Sequence, residues 1–546
     1  MRVPDSRDLS ALCFISVVAL WGCDPPPAPV STLVPLDAAR LARRLSIDIR
    51  GVLPSGDELE ALEADPGQVE TLKEQWLADP LFEERVVQLY QEQWFTVLDG
   101  FVVSREDYGV SPAHNYEYVH SVGEEPLRTV ARVVATDQPY SSITTVDWTM
   151  ANPTLEGIWP IDYPDGESGW QVSHYTDGRP AAGVLSTNGL WWRYPTALNN
   201  NNRLRAAAIF KLLVCTDLLS RPVSLSTDVD IDQSDPSEAI RTDPACQACH
   251  ASIEPVAATL FGFYPYNDQS AVELEYYHPE REGLGPELLQ VEPAWQGDPV
   301  TGLADLGLAI AADPLFAECA VQTVAKGLLR RDLYERDADL LIAAEASFAR
   351  AENLKDAIRA VTASESYAAG GFTVLADAET IAETSTRRML VTSQLRSIAG
   401  GLVGLDWNVD GYDQLDNDAS GYRVLGGAVD GYDVFSPQRL PSLTSALTLQ
   451  RVAEVTAALI VARDLREGAT PQLLIGITTA TVQADPAFAE GIRAAFWQLL
   501  SGHPTDEDVV ELAAAWQAVI DAGGTPQEAW TCVLAVLLRD PEFVSY

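Results

Sequence analysis

The residues with the most chemistry sit together at 243–261, "DPACQACHASIEPVAATLF", where two cysteines and a histidine run C-x-x-C-H. With seven cysteines and six histidines in 546 residues, chance would assemble this order in on the order of one such chain in a thousand. Thiols three residues apart reach the two vinyl groups of a haem, and the adjacent imidazole then lies beneath the iron. Cys246 and Cys249 are therefore expected to form thioethers, with His250 as the proximal ligand of a haem c. Two plainer readings compete. A C-x-x-C pair can close as a disulfide in an oxidising compartment. A zinc site needs further ligands, and the sequence holds no second C-x-x-C and no H-x-x-x-H.

The sixth iron position is open to several answers. Methionine is a common distal ligand, and beyond the N-terminal segment only Met150 and Met389 remain. Met150 precedes the cysteines within the same region. His174 is the rival, with His278 behind it. A lone methionine is also good core filling, and a lone histidine a common surface group. A vacant position that binds a small molecule is the third answer. Haem propionates want cations, and Arg179, Arg193, Arg203 and Arg241 are the local ones.

A second stretch, "LDWNVDGYDQLDNDASG", carries D-x-N-x-D-G at Asp406, Asn408, Asp410 and Gly411. Calcium loops begin this way, with alternate oxygens facing the ion and glycine permitting the sharp turn. Tyr412 would lend its carbonyl. The twelfth position, where a bidentate Glu is expected, is Asn417, so a Ca2+ site here would depart from the usual geometry. The plain reading is a solvated acidic loop. Signatures of phosphate-binding loops, H-E-x-x-H metalloproteases and G-x-S-x-G hydrolases are absent from the chain.

These residues must be positioned by helices. "DPLF" at 79–82 and 313–316, "DPAF" at 485–488 and "DPEF" at 540–543 each read as a helix start. Asp caps the free N–H groups, Pro suits the first turn and Phe anchors the core. Residues 37–100 and 485–546 share a longer pattern: a helix ending at Gly51 or Gly502, a proline, then Ser55 or Thr505 with an acidic residue three later. They read as related helical hairpins. Residues 142–195, 262–300 and 405–441 are irregular, and 421–435 has hairpin character. The expected fold is mostly α, several helical bundles joined by long ordered loops with a possible small β-hairpin. The divisions fall at 37–120, 121–300 (holding the C-x-x-C-H), 301–372, 373–484 and 485–546.

The N-terminus reads as an address. Arg2 and Arg7 precede a short apolar run over 11–22, ending in "LWGC" before "DPPPAPV". Residues 1–22 fit a signal peptide, and Leu20, Gly22 and Cys23 resemble a lipoprotein cleavage box, which implies a lipid on Cys23. Residues 23–36 fit a proline-rich spacer. No later run reads as a membrane span. A net charge of −43 argues against nucleic acid or an anionic membrane surface as a partner, leaving the lipid as the membrane contact. Of the cysteines left over, Cys215 and Cys319 can be imagined as a bridge. Cys532 reads as a small buried apolar residue.

Four consecutive blocks, "TTVDWTMANPTLEGIW", "DGRPAAGVLSTNGLWWRY", "NNNNRLRAAAIFKLLVC" and "DPACQACHASIEPVAATLFGF", resemble a broad group of exported bacterial proteins built of domains of unknown function. That group is related to the planctomycete-type cytochrome c proteins. "DPLFAECAVQTVAKGLLRRDL" with "LKDAIRAVTASESY" resembles the helical block that follows, so the resemblance covers residues 142–372. It implies haem c and export and supplies no substrate. The sequence thus leads to an exported haem lipoprotein that transfers electrons to an unknown redox partner, or does redox chemistry on its iron. Whether it is an enzyme stays open. The alternative is a haem-free surface scaffold or binding protein with a C-x-x-C disulfide and a calcium loop.

Overall fold

Helix starts written into the sequence recur throughout the computed structural model, which describes residues 32–546 except 198, 222–239, 266–270, 375, 385, 405–406 and 420. The carboxylates of Asp79, Asp313 and Asp540 each accept a backbone N–H two residues on, from Leu81 (2.8 Å), Leu315 (2.9 Å) and Glu542 (2.7 Å). Asp485 differs, taking the N–H of Val482 before its helix instead. The phenylalanine of each start, Phe82, Phe316, Phe488 and Phe543, is buried, a contribution of about 1.5–3 kcal/mol apiece.

The two related regions repeat one element order. Helices Ala38–Arg50, Gly56–Ala64, Gln68–Leu77 and Pro80–Trp94 match helices Pro486–Leu500, Asp506–Asp521, Pro526–Leu537 and Pro541–Val544. Ser55 with Glu58 and Thr505 with Asp508 form reciprocal capping boxes. The first turn-off is Gly51, at φ 76°, but the second is Ser501, at φ 52°, one residue before the expected Gly502.

Sheets are small. Three strands, Thr149–Ala151, Gln171–Tyr175 and Ile161–Asp162, form one antiparallel unit. Leu33–Pro35, inside the stretch expected to be a spacer, pairs antiparallel with Ala369–Phe372. The hairpin lies at Asn408–Val409 and Tyr412–Asp413, whereas 421–435 is turns and loop. The fold is mostly α, as expected.

One apolar core runs from Ala42 to Tyr367 and draws on all three segments 37–120, 121–300 and 301–372. A second is built from Ile47 and residues 390–546, and a third, around Tyr118, Trp159 and Trp192, lies beneath the small sheet. Ile47 and its neighbour Asp48 join the first two. Asp48, fully buried, receives hydrogen bonds from Arg388 (2.9 Å), Tyr367 (2.9 Å) and Tyr546 (2.7 Å). Cys215 and Cys319 are bridged, tying the end of helix Arg203–Leu213 to helix Pro314–Leu329. Cys532 is half-buried rather than buried.

One helix among the described residues, Leu443–Asp464, is long and apolar enough to cross a membrane, contrary to the expectation that no later run is. Its Val452, Ala453, Ala457, Ile460 and Val461 are buried in the second core. Hydropathy records the apolar surface but not what covers it.

Candidate functional site

The C-x-x-C-H residues stand on helix Pro244–Ala258. It too opens on an Asp-Pro pair: the Asp243 carboxylate takes the N–H groups of Ala245 (2.8 Å) and Cys246 (3.4 Å). Cys246 therefore lies in the first turn and Cys249 one turn later. Three-residue spacing puts both sulfurs on one helix face. Both are free, half-exposed thiols, not paired with each other. The far half of the helix is anchored, with Ile253, Val256, Ala257 and Ala258 buried against helices Arg203–Leu213 and Leu284–Leu289. Helix Leu284–Leu289 comes so close that a Cβ on Gly285 would stand 2.2 Å from the Ala258 carbonyl oxygen. Only glycine admits that approach.

His250 Nδ1 is 2.6 Å from Glu254 Oε1, one turn along the same helix. Glu254 is 5% exposed and also receives Arg203, Nε to Oε1 at 2.6 Å and Nη2 to Oε2 at 3.1 Å. Burial works against its charge, but the hydrogen bonds from His250 and Arg203 outweigh it and hold the carboxyl below its ordinary range. With Nδ1 bound to a carboxylate, the ring is fixed in one orientation. Nε2 has no hydrogen-bond partner among the described residues. Beside it opens a cleft of about 310 Å³ lined by Arg203, Arg241, Gln247 and His250 on one side and Leu288 and Val291 on the other. An imidazole, an apolar wall and two arginines at one cleft are groups a haem would use, but Cys246 and Cys249 stand outside the cleft lining, and the Cys249 sulfur packs against the first core, 3.8 Å from the Leu218 carbonyl. The iron of a haem is already held by ring nitrogens and needs one imidazole from the chain. A bare ion needs more, and no group of three or more His, Cys, Asp or Glu that could hold one occurs among the described residues.

The other expected ligands do not join this cleft. Met150 is fully buried on strand Thr149–Ala151, opposite Val172. His174 is exposed two residues further along the paired strand, opposite Asp162. His278 is engaged by Glu280 (3.3 Å) and the Glu273 carbonyl (3.3 Å). Arg179 is clamped by Asp177 (2.6 Å) with its guanidinium 3.2 Å from the centre of the Tyr175 ring. Arg193 is spent on the carbonyls of Phe95 (2.6 Å) and Gly431 (2.7 Å). Of the four arginines named, Arg203 and Arg241 reach the cleft.

At the acidic loop, Asp406 lies outside the described residues. Asp410 and Gly411 are the left-handed pair of a two-residue hairpin turn, at φ 53° and 85°. Asn408 Oδ1 accepts the Gly411 N–H (2.9 Å), and the Tyr412 carbonyl accepts from Gln414 (3.1 Å). The acids that follow serve cations: Asp413 binds Arg396 (2.7 Å), Asp416 binds His120 (3.3 Å) and Asp418 binds Arg423 (2.8 Å). Asn417 is buried.

Sequence reasoning missed a second charged site. His120, on helix Asn115–Ala135, binds Glu124 through Nδ1 (2.7 Å) and Asp416 through Nε2 (3.3 Å) and stacks on Tyr116 with centroids 4.0 Å apart. Arg128 reaches the same Glu124 (2.6 Å). A cavity of about 270 Å³ lies alongside. Burial opposes charge on His120, but its hydrogen bonds to Asp416 and Glu124 prevail and raise it to about 9. Glu124 is pulled down to about 2, its burial outweighed by the Arg128 charge and the His120 hydrogen bond. The i, i+4, i+8 run His120, Glu124, Arg128 was there to be read; Asp416 was not.

No protein-family model, curated protein or solved structure matches the chain.

Proposed function

We propose that the chain is an exported, lipid-anchored c-type haem protein with a redox role. Cys246 and Cys249 would carry the thioethers and His250 would hold the iron. One observation carries the reading: Glu254 holds Nδ1 of His250, which lines a cleft, on a helix that also carries two free thiols one turn apart. When bound, haem supplies one-electron redox chemistry. The chain's residues supply the rest. The helix spaces the sulfurs, Glu254 orients the imidazole, Arg203 and Arg241 would offer charge to propionates, and Leu288 and Val291 would give one apolar wall. The resemblance of residues 142–372 to the cytochrome c-related group favours the same reading.

Electron transfer to a redox partner is the default role. No other histidine or methionine lines the cleft among the described residues. Redox chemistry on a small exogenous ligand is the sub-alternative. Export is supported by the "LWGC" box, which lies outside the described residues, and by the Cys215–Cys319 bridge, because disulfides persist in oxidising compartments.

The test is expression with haem-maturation machinery followed by denaturation and solvent extraction. Haem absorbance is expected to stay with the wild-type chain and to disappear with Cys246→Ala plus Cys249→Ala. A wild-type chain left colourless would sink the proposal.

A further inference from the structure

We infer that Glu254 is a positioning residue that tunes the iron through His250, with Arg203 limiting how strongly it does so; the inference rests on the haem reading above. The hydrogen bond is short, at 2.6 Å, and its acceptor is a carboxylate 5% exposed. A charge-assisted bond in such surroundings draws the Nδ1 proton toward the carboxylate and leaves Nε2 more electron-rich. An electron-rich axial nitrogen stabilises ferric over ferrous iron, so Glu254 lowers the midpoint potential. Arg203 Nε lies 2.6 Å from the same oxygen, Oε1, that His250 uses. It withdraws charge from that oxygen and weakens the pull on the imidazole. The His250–Glu254 pair is one turn apart on a helix anchored in the first core, so the geometry does not depend on a loop closing.

Opposite signs follow. In the haem-loaded protein, Glu254→Gln raises the midpoint potential and lowers the iron–imidazole stretching frequency of the ferrous form. Arg203→Gln does the reverse on both. A bare field effect of the two charges would also move the potential in these directions, so two readouts separate the cases. The stretching frequency responds to the bond and not to a distant charge. In the Glu254→Gln background the Arg203→Gln shift should vanish, because Arg203 acts through Glu254.

Potentials would be read by spectroelectrochemical titration and the stretch by resonance Raman. An unchanged stretch in Glu254→Gln, or an equal Arg203→Gln shift in both backgrounds, overturns the inference. If Glu254→Gln accumulates no holoprotein, Glu254→Asp serves, with the charge kept but withdrawn and a smaller shift of the same sign; no shift there also overturns it. A wild-type chain without covalent haem removes this inference with the haem reading, whereas wild-type haem with unmoved variants removes this one alone.

Discussion

Two histidines in this molecule begin from the same local arrangement and end differently. His120 and His250 each bind a glutamate one helical turn on, Glu124 or Glu254, and each glutamate is held by an arginine, Arg128 or Arg203. Around His120 a fourth residue, Asp416, takes the second ring nitrogen. The imidazole is then enclosed as a cation between two carboxylates and has no atom left for a ligand. Around His250 no described residue takes Nε2, and a cleft lies beside it. A histidine is made structural or available by what meets its second nitrogen, not by its own helix.

The largest effect that would sharpen this contrast is spectroscopic. His250→Gln should abolish the imidazole-ligated spectrum of the holoprotein, while His120→Gln should leave the visible spectrum unchanged; a spectral change in the latter would break the comparison. Next comes stability. Glu124→Ala leaves Arg128 with Glu84 alone and His120 with Asp416 alone and is expected to cost about 3 kcal/mol. Glu254→Ala, whose partners are more exposed, should cost about 1–2 kcal/mol. Denaturant midpoints would rank the two, and equal costs would show the sites to be alike.

The cysteines offer a parallel contrast of similar or smaller size. Reduction should open Cys215–Cys319, which closes a loop over a sequence separation of 104, and lower stability by about 2–4 kcal/mol. The thioethers proposed at Cys246 and Cys249 would resist reductant, so on that reading haem should stay on the chain. Haem lost on reduction alone would mean it was never held by thioether bonds.

The smallest effect is in the pH profile. His120 is raised from an ordinary value near 6.5 to about 9 in the folded chain. Its contribution is therefore complete below 6.5 and is lost as pH climbs through 9. Glu125, pushed up to about 7 by burial that its three hydrogen bonds do not offset, adds a separate loss between about 4.5 and 7. Melting temperature should thus fall from mildly acidic to alkaline pH. His120→Gln should flatten only the alkaline limb, and an unaltered alkaline limb would refute the assignment.

Much of the helical order was legible because its causes are local. An aspartate before a proline caps free N–H groups at Asp79, Asp313 and Asp540, though not at Asp485, and a phenylalanine three residues on finds a core in all four copies. The related element order of 37–100 and 485–546 follows from the same rules. That Cys246, Cys249 and His250 stand together was legible for the same reason: one helix, Pro244–Ala258, holds all three. Glu254 lay within that reach and was overlooked. The distal candidates were not legible. Whether Met150 or His174 approaches His250 depends on how three short strands pair, and that pairing buries Met150 under the sheet and faces His174 to solvent. The D-x-N-x-D-G stretch was ambiguous because oxygens and glycine at that spacing serve a tight hairpin turn as well as an ion.

The sequence by itself determined where helices begin, which thiols and imidazole stand together, and that the chain is strongly acidic, because capping, periodicity and charge act over a few residues. Tertiary structure alone decided that Asp416 closes His120, that Arg203 shares Glu254 with His250, that Cys215 meets Cys319 and that one core unites residues 42–367. Those outcomes depend on which surfaces are buried together, and burial is a property of the assembled chain.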